Sequence, residues 1–160
     1  KIADKVGAAC AGLVSDMQIL TREISAQATL FTLNTKRPMS VKAAAKVTSN
    51  VLFNRKMYPL YTQTIVGGMD GKVAEIYVLD VLGSLLPDDY AAVGTGATMA
   101  TGVLEQGYKE KMTELEAKIL ALKAIKSAVR RDVMSGNGID LMVITEDGIK
   151  EETTTFENKK

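Results

Sequence analysis

The spacing of apolar residues changes in blocks along this 160-residue chain, and the order of those blocks constrains its fold. A short apolar run at residues 6–11, typical of a buried strand, precedes two stretches in which apolar residues recur at helical spacing. Several strand signals, two further helical stretches and two final strands follow. Runs of strands between runs of helices are typical of antiparallel sheets with helices segregated on their faces. The sequence therefore predicts an α+β layered fold and not an alternating βαβ fold.

Serine caps indicate where the first two helices begin. Ser15, with Gln18 three residues later, forms a capping-box pattern for the first helix. Ser40 is the expected cap of a second helix that ends near residue 54. The apolar residues predicted to face the core from the first helix are Met17, Leu20, Ile24, Ala28 and Phe31.

Two more helices are expected in the second half of the chain. The glycine-rich stretch 94–98 leads into a short helix that ends near residue 106. Thr113 and Glu116 form a second capping box and open the fourth helix. The stripe predicted to be buried on that helix consists of Leu115, Ile119, Leu122, Ile125 and Val129.

Strand signals lie between these helical stretches. Residues 61–66 and 73–79 flank a glycine-rich connection at 67–71, a pattern typical of a β-hairpin. Residues 90–93 are expected to form another short strand. These segments supply the first predicted sheet.

The chain is expected to end in a hairpin and a tail. Residues 139–145 form a predicted strand, and a turn at 146–148 leads into a last short strand. Residues from about 151 to 160 are polar and are expected to be a loose tail. Because no repeat or linker divides the sequence, a single domain over residues 1–160 is predicted.

The residue types that are missing exclude several kinds of chemistry. The chain has no histidine, which excludes Ser-His-Asp catalysis, Cys-His catalysis and histidine-bound metals. Its one cysteine, Cys10, cannot form an internal disulfide or a thiolate metal cluster. We therefore expect neither a metal nor a cofactor. Proton transfers in an enzyme of this composition must use Lys, Asp, Glu, Ser, Thr, Tyr or a terminal amine.

Charge and hydropathy narrow the expected partners. The formal net charge is only +1, from 20 Lys and Arg against 19 Asp and Glu, which argues against nucleic acid or an anionic membrane as partner. No apolar run reaches the roughly 20 residues of a membrane span, and no signal peptide is visible. A cytoplasmic protein is the expectation.

Two short motifs near helix ends are candidate sites. Asp132 follows the fourth helix, where the helix dipole disfavours a carboxylate, so we expect it to have a specific partner. Ser135 lies three residues later, and one short loop can direct both side chains to the same place. The alternative is an ordinary helix end with Gly136 or Gly138 at positive φ. The stretch 94–98 precedes a helix whose amides can hold an anion, but it lacks a P-loop ending, and an ordinary turn is the alternative.

Taken in order, segments over nearly the whole chain apart from the tail resemble a proteasome β-type subunit, and the archaeal type most. They are Ala-Gly-Leu-Val-Ser-Asp-Met-Gln at 11–18, Tyr-Pro-Leu at 58–60, Ile-Val-Gly-Gly at 65–68, Tyr-Val-Leu-Asp-Val-Leu-Gly at 77–83, Ala-Val-Gly-Thr-Gly at 92–96, Gly-Val-Leu-Glu at 102–105 and Arg-Asp-Val-Met-Ser-Gly-Asn-Gly-Ile-Asp at 131–140.

The resemblance implies an N-terminal-nucleophile hydrolase with a four-layer αββα sandwich of two antiparallel sheets between helical layers. Such enzymes attack with an N-terminal threonine whose own α-amine, with a pKa of about 8, serves as base. Residue 1 here is Lys, and the family's first strands, early aspartate and catalytic lysine would precede it. We therefore expect an N-terminally incomplete chain that carries the supporting part of the site and is inactive alone.

The resemblance also implies roles for individual residues. Asp132 and Ser135 match the pair that hydrogen-bonds around the threonine amine and hydroxyl, and Thr95 stands where the family usually has a serine. Gly12 matches the glycine whose N–H helps hold the developing oxyanion.

The pocket for the residue before the cut is the second implied feature. By resemblance it is lined by Cys10, Val14 and Gln18. Because these side chains are uncharged, cleavage after apolar residues is expected. An inert, buried Cys10 is the alternative reading of that thiol.

The leading prediction is a threonine endopeptidase subunit that degrades unfolded polypeptides inside a chamber of stacked rings. The implied partners are other β-type subunits in a heptameric ring, α-type subunits and, indirectly, an ATP-dependent unfoldase. A non-catalytic structural β-type subunit or fragment that contributes ring contacts only is the second hypothesis. A small-ligand domain built on the loop at 94–98 is the third.

Overall fold

The computed structural model describes residues 1–155 and builds its first sheet from four antiparallel strands in the order β1-β2-β3-β4. The strands are β1 (Val6–Gly12), β2 (Thr62–Asp70), β3 (Val73–Leu79) and β4 (Leu85–Asp88). Between β1 and β2 the chain forms two helices, α1 (Val14–Thr35) and α2 (Val41–Asn54). These elements lie in a first compact unit that comprises Lys1–Asp89 and Ile144–Ile149.

One aliphatic core joins α1 and α2 to this sheet. The face of α1 turned to the core carries the predicted Leu20, Ile24 and Ala28, which are buried, whereas Met17 and Phe31 are only partly covered or exposed. Buried core residues on α2 and on the strands are Val6, Val41, Ala44, Ala45, Val51, Leu52, Val66, Tyr77 and Leu79.

The two serine caps had different outcomes. Ser40 caps α2 as predicted, since its side chain accepts a hydrogen bond from the Ala43 N–H at 3.2 Å. The capping box at Ser15 is wrong, because α1 begins after Leu13, which has no side-chain cap. The Ser15 hydroxyl donates to Asp16 instead, at 3.3 Å. The start of α1 is set by hydrogen bonds that Leu13 and Asp16 form with the backbone of Tyr61, the residue just before β2.

The first hairpin is longer and tighter than predicted. Strand β2 continues through Gly67 and Gly68 to Asp70, so only Gly71 and Lys72 form the turn. Gly68 lies within this strand, and only glycine fits there because a Cβ would overlap the carbonyl oxygen of Lys5. Gly68 therefore serves close backbone packing, whereas Gly71, at φ +61°, serves the turn.

The strand predicted at 90–93 is wrong, because those residues have no regular structure. The fourth strand is β4, which pairs with β3 and contains Pro87. Proline is tolerated there because β4 has a neighbour on one side only in this sheet. The side chain of Asp80 shapes the preceding turn by accepting from the N–H groups of Leu82 and Ser84, at 2.9 and 3.0 Å.

A second compact unit comprises Tyr90–Val143 and Lys150–Lys160, described through residue 155. Its helices are α3 (Ala97–Gly107) and α4 (Glu114–Val129), and the strands β5 (Gly138–Thr145) and β6 (Gly148–Thr155) form a two-stranded sheet. The predicted capping box of Thr113 and Glu116 is present at the start of α4.

The buried face of α4 differs from the predicted stripe. Leu115, Ile119 and Ile125 are exposed, whereas Leu120, Ala124 and Ala128 are buried. Ala124 and Ala128 pack with Ala100 of α3 in a small cluster, where short side chains allow the two helices to approach closely. Three of the five residues predicted to be buried on α4 are therefore exposed.

The tail prediction is also wrong for residues 151–155, which belong to β6. The remainder of the predicted tail, 156–160, lies outside the described residues. The α+β class with two antiparallel sheets is confirmed. Within residues 1–155, no helix combines the length and apolar character needed to cross a membrane.

Candidate functional site

Asp132 lies just after α4 and gathers two hydroxyl groups on one of its oxygens. The Thr95 Oγ1–H and the Ser135 Oγ–H both donate to Asp132 Oδ2, each at 2.6 Å. The loop itself is held by the Asp132 N–H, which donates to the Ala128 carbonyl at 2.8 Å. The structure thus brings together three of the sequence-predicted site residues, which we call the Asp132 cluster: Thr95, Asp132 and Ser135.

The Asp132 cluster favours an ionised carboxylate. Hydrogen bonds from Ser135 and, second, from Thr95 lower the pKa of Asp132 below its ordinary value, against a small opposing effect of burial. A weaker contact from the Met134 N–H reaches the other carboxylate oxygen at 3.4 Å. Asp132 therefore acts as a hydrogen-bond acceptor at neutral pH.

The two hydroxyl groups become acceptors as a consequence. Because each gives its only hydrogen to Asp132, each has only lone pairs left for a third group. A surface made of two such hydroxyl oxygens and a carboxylate suits an N–H donor, above all a cationic amine. It does not suit an anion.

Gly96 allows the two loops of the cluster to meet, a role that the sequence did not predict. A Cβ on Gly96 would lie 2.8 Å from the Ala128 Cβ, 3.3 Å from Ser135 Oγ and 3.4 Å from Asp132 Oδ2. Gly96 is also the N-cap residue of α3, without a side-chain cap. Its place directly after Thr95 was the one available signal.

The same geometry argues against the anion site considered for residues 94–98. The Asp132 carboxylate lies beside Gly96, at the start of α3. A bound phosphate would meet that negative charge at close range, where like charges repel strongly. The turn is better explained by its close packing against the loop after α4.

The remaining predicted residues lie in the first unit, around the junction of β1 with α1. Gly12 ends β1 with φ +148°, and a Cβ there would overlap the Tyr61 carbonyl oxygen. The Leu13 N–H donates to that carbonyl at 2.9 Å. The Tyr61 N–H in turn donates to Asp16 Oδ2 at 2.8 Å. Only glycine fits between these groups, so close approach explains Gly12 without reference to function.

The predicted pocket residues are accessible at this junction. Cys10 and Gly12 share one face of β1, because alternate residues of a strand point the same way. Cys10 is half-buried, not the fully buried thiol expected from its apolar strand, and its Sγ accepts from the Thr64 hydroxyl at 3.6 Å. Val14 is 64% exposed, and Gln18, also exposed, lies one turn further along the same face of α1.

Metal-binding side chains do not cluster within residues 1–155. The structure has no group of three or more His, Cys, Asp or Glu there that could hold an ion. The described residues offer an ionised acid with two oriented hydroxyls in one unit, and a glycine junction with uncharged neighbours in the other.

Comparison with known proteins gives one consistent family. The sequence model of the proteasome subunit family matches residues 1–144. Proteasome subunit beta 1 of Nitrosopumilus maritimus (strain SCM1) is 51% identical over 152 residues, which are 95% of this chain and 76% of that protein. The protein of the same name from Cenarchaeum symbiosum (strain A) is 50% identical over 151 residues, covering 94% and 78%. That from Hyperthermus butylicus (strain DSM 5456 / JCM 9403 / PLM1-5) is 45% identical over 155 residues, covering 95% and 76%.

Proposed function

Since this chain belongs to the proteasome subunit family as a β-type subunit of the core particle, we propose that it supports threonine-type peptide hydrolysis through its Asp132 cluster. The substrate class is unfolded polypeptide. The nucleophile is the hydroxyl of an N-terminal threonine, as in the family, and the residues of this chain hold and orient it. One observation carries the proposal: two hydroxyls and a carboxylate that together present only acceptors.

The Asp132 cluster is suited to hold the threonine α-amine. The threonine hydroxyl attacks the peptide carbonyl carbon, and its proton passes to the α-amine, whose pKa of about 8 allows it to act as base. The ammonium that forms meets the oxygens of Thr95, Asp132 and Ser135. It then gives its proton to the leaving amine as the peptide C–N bond breaks, and water hydrolyses the resulting ester.

The junction of β1 with α1 is proposed to serve the carbonyl side of the same reaction. The Gly12 N–H donates to the oxyanion that develops on the attacked carbonyl, a contact whose loss elsewhere costs about 3 kcal/mol of transition-state stabilisation. Cys10, Val14 and Gln18 line the pocket for the residue before the cut. Their lack of charge suits an apolar side chain there.

Assembly with other proteasome subunits follows from the family, and its details are part of the proposal. We place the chain in a heptameric ring of β-type subunits, stacked between α-type rings and fed by an ATP-dependent unfoldase. Restricting entry to unfolded chains supplies selectivity that a pocket of small uncharged residues does not. Cytoplasmic localisation and a single domain over residues 1–160 belong to the same proposal.

The test supplies an N-terminal threonine and measures peptide hydrolysis. A family N-terminal segment that opens on a free threonine is joined ahead of Lys1, and the subunit is assembled with α-type subunits. We expect hydrolysis of a fluorogenic peptide with an apolar residue before its leaving group, and loss of hydrolysis when that threonine is changed to alanine. Silence of the correctly assembled threonine form contradicts the proposal and favours the non-catalytic structural role.

A further inference from the structure

The backbone of Tyr61 is tied to the start of α1 at both of its polar groups. Its carbonyl accepts from the Leu13 N–H at 2.9 Å, and its N–H donates to Asp16 Oδ2 at 2.8 Å. The Tyr61 side chain is 67% exposed and takes no part in these bonds. The Tyr61 peptide groups, and not its ring, therefore connect β2 to the junction.

Gly12 is in direct contact with this tie. Its backbone lies so close to the Tyr61 carbonyl that a Cβ would overlap it, and its φ of +148° is one that other residues rarely adopt. Any rotation of the Tyr61 peptide groups therefore moves both the Leu13 N–H and the backbone of Gly12. The orientation of the Gly12 N–H depends on what holds Tyr61.

Asp16 is the side chain that holds Tyr61 at its N–H. It is half-buried and lies in the first turn of α1, where the helix dipole favours an acid. An acid at that position commonly reaches back to cap its own helix. In this chain its Oδ2 instead crosses 45 positions of sequence to the Tyr61 N–H, so its contact goes beyond stabilising α1.

We propose that Asp16 is a positioning residue, which aligns the Gly12 N–H toward the developing oxyanion through the Tyr61 peptide. This inference rests on the proposed function, since Gly12 matters as a donor only if the chain hydrolyses peptides. Asp16 itself touches neither substrate nor nucleophile. Its effect is confined to the transition state, because the oxyanion forms only there.

The experiment compares three variants in the assembled, threonine-bearing particle. Asp16→Ala removes the acceptor, and we expect kcat to fall about ten- to a hundredfold with KM within about twofold, the loss typical of a small misplacement at a reacting centre. Asp16→Asn keeps an amide oxygen for the Tyr61 N–H and restores kcat to within about threefold of wild type. Glu23→Ala, the matched control on α1, breaks the 2.8 Å ion pair with Arg55 and leaves kcat unchanged.

Amide hydrogen exchange at Tyr61 separates positioning from a general loss of structure. We expect exchange at that amide to quicken in Asp16→Ala and to stay slow in Asp16→Asn, while the amides of the buried α2 face keep wild-type rates. Should Asp16→Ala fail to assemble, Asp16→Glu takes its place, because its longer side chain moves the carboxylate off the Tyr61 N–H; we expect the same fall in kcat.

Two results overturn the inference while leaving the proposed function intact. One is wild-type kcat in Asp16→Ala, or in Asp16→Glu where that replaces it, within an active particle. The other is an equal loss of kcat in Asp16→Asn, because the charge and not the contact with Tyr61 would then matter. An inactive wild-type particle is a different result, since it contradicts the proposed function itself.

Discussion

Asp132 illustrates how much of a site a single residue's surroundings can indicate. A carboxylate just after α4 is unfavourable to the helix dipole, and that cost alone predicted a partner for it. Ser135 followed from its spacing, whereas Thr95, 37 positions away, was reached only through the family resemblance. Gly96 lies in the glycine-rich stretch that was considered as an anion site, but its close approach to Ala128 was not predicted, because it depends on how α3 packs on α4.

The hydrogen bonds of Asp132 predict a particular dependence of stability on pH. Because folding lowers the Asp132 pKa below its ordinary value of 3.8, the unfolded chain binds a proton that the folded chain does not at pH values between the two pKa values. The stability contributed by these bonds is therefore present above pH 3.8 and is lost as the pH falls through the folded-state pKa. Denaturant unfolding at several pH values checks this: the excess free energy of unfolding of wild type over Asp132→Asn should shrink toward acid. Parallel curves contradict it.

Gly96→Ala should destabilise the chain by about 1–3 kcal/mol, because the new methyl group lies too close to the Ala128 Cβ. Gly102→Ala, within the helix that Gly96 precedes, is the matched control. A Cβ on Gly102 meets nothing within 4 Å, so removing a helical glycine there should stabilise by about 0.5–1 kcal/mol. Urea unfolding of both variants measures the difference. Equal effects would show that the packing at Gly96 is looser than described.

Helices and strands were predicted well where adjacent residues determine their ends, and poorly where residues distant in the sequence determine them. The Ser40 cap and the capping box of α4 depend on a few adjacent residues, and both are present. The start of α1 is set by Tyr61, which is distant in sequence, so its local capping pattern misled. Strand β6 was assigned to a tail because its polar residues, such as Glu152, face solvent or pair with a charged partner, here Lys118 at 2.7 Å.

The rotation of α4 about its axis can be tested with two leucines. Leu120→Ala should lower the free energy of unfolding by about 2–4 kcal/mol, because Leu120 is only 8% exposed. Leu115→Ala should change it by less than about 0.5 kcal/mol, because Leu115 is 65% exposed. Thermal or denaturant unfolding of the unassembled chain measures both. The reverse order would restore the stripe predicted from the sequence.

The exposed apolar side chains of the chain agree with membership of a family whose members assemble. Leucines at the end of α1 and three large residues on α4 are exposed, and such surfaces are typical of proteins with partners. They are Leu30, Leu33, Leu115, Ile119 and Ile125. The sequence alone treated the last three as core, since one chain does not distinguish a surface covered by its own fold from one covered by a neighbour.

The chamber proposal predicts different requirements for short and folded substrates. The threonine-bearing particle should hydrolyse a short apolar peptide without ATP, because a peptide needs no unfolding to enter. A stably folded protein should be degraded only when an ATP-driven unfoldase is added, and a denatured form of that protein should need less help. Fluorescence of the peptide and gel analysis of the protein measure the two rates. Degradation of the folded protein by the particle alone contradicts the enclosed site.

The half-buried thiol of Cys10 beside the Thr64 hydroxyl is a site for attaching a spectroscopic label. Since the chain has one cysteine, a maleimide dye or nitroxide attaches at a single defined point without any engineered substitution. That point lies two residues from Gly12, so the spectrum of the label reports local rearrangement of the strand end in real time. The wild-type sequence thus carries its own reporter position for spectroscopy.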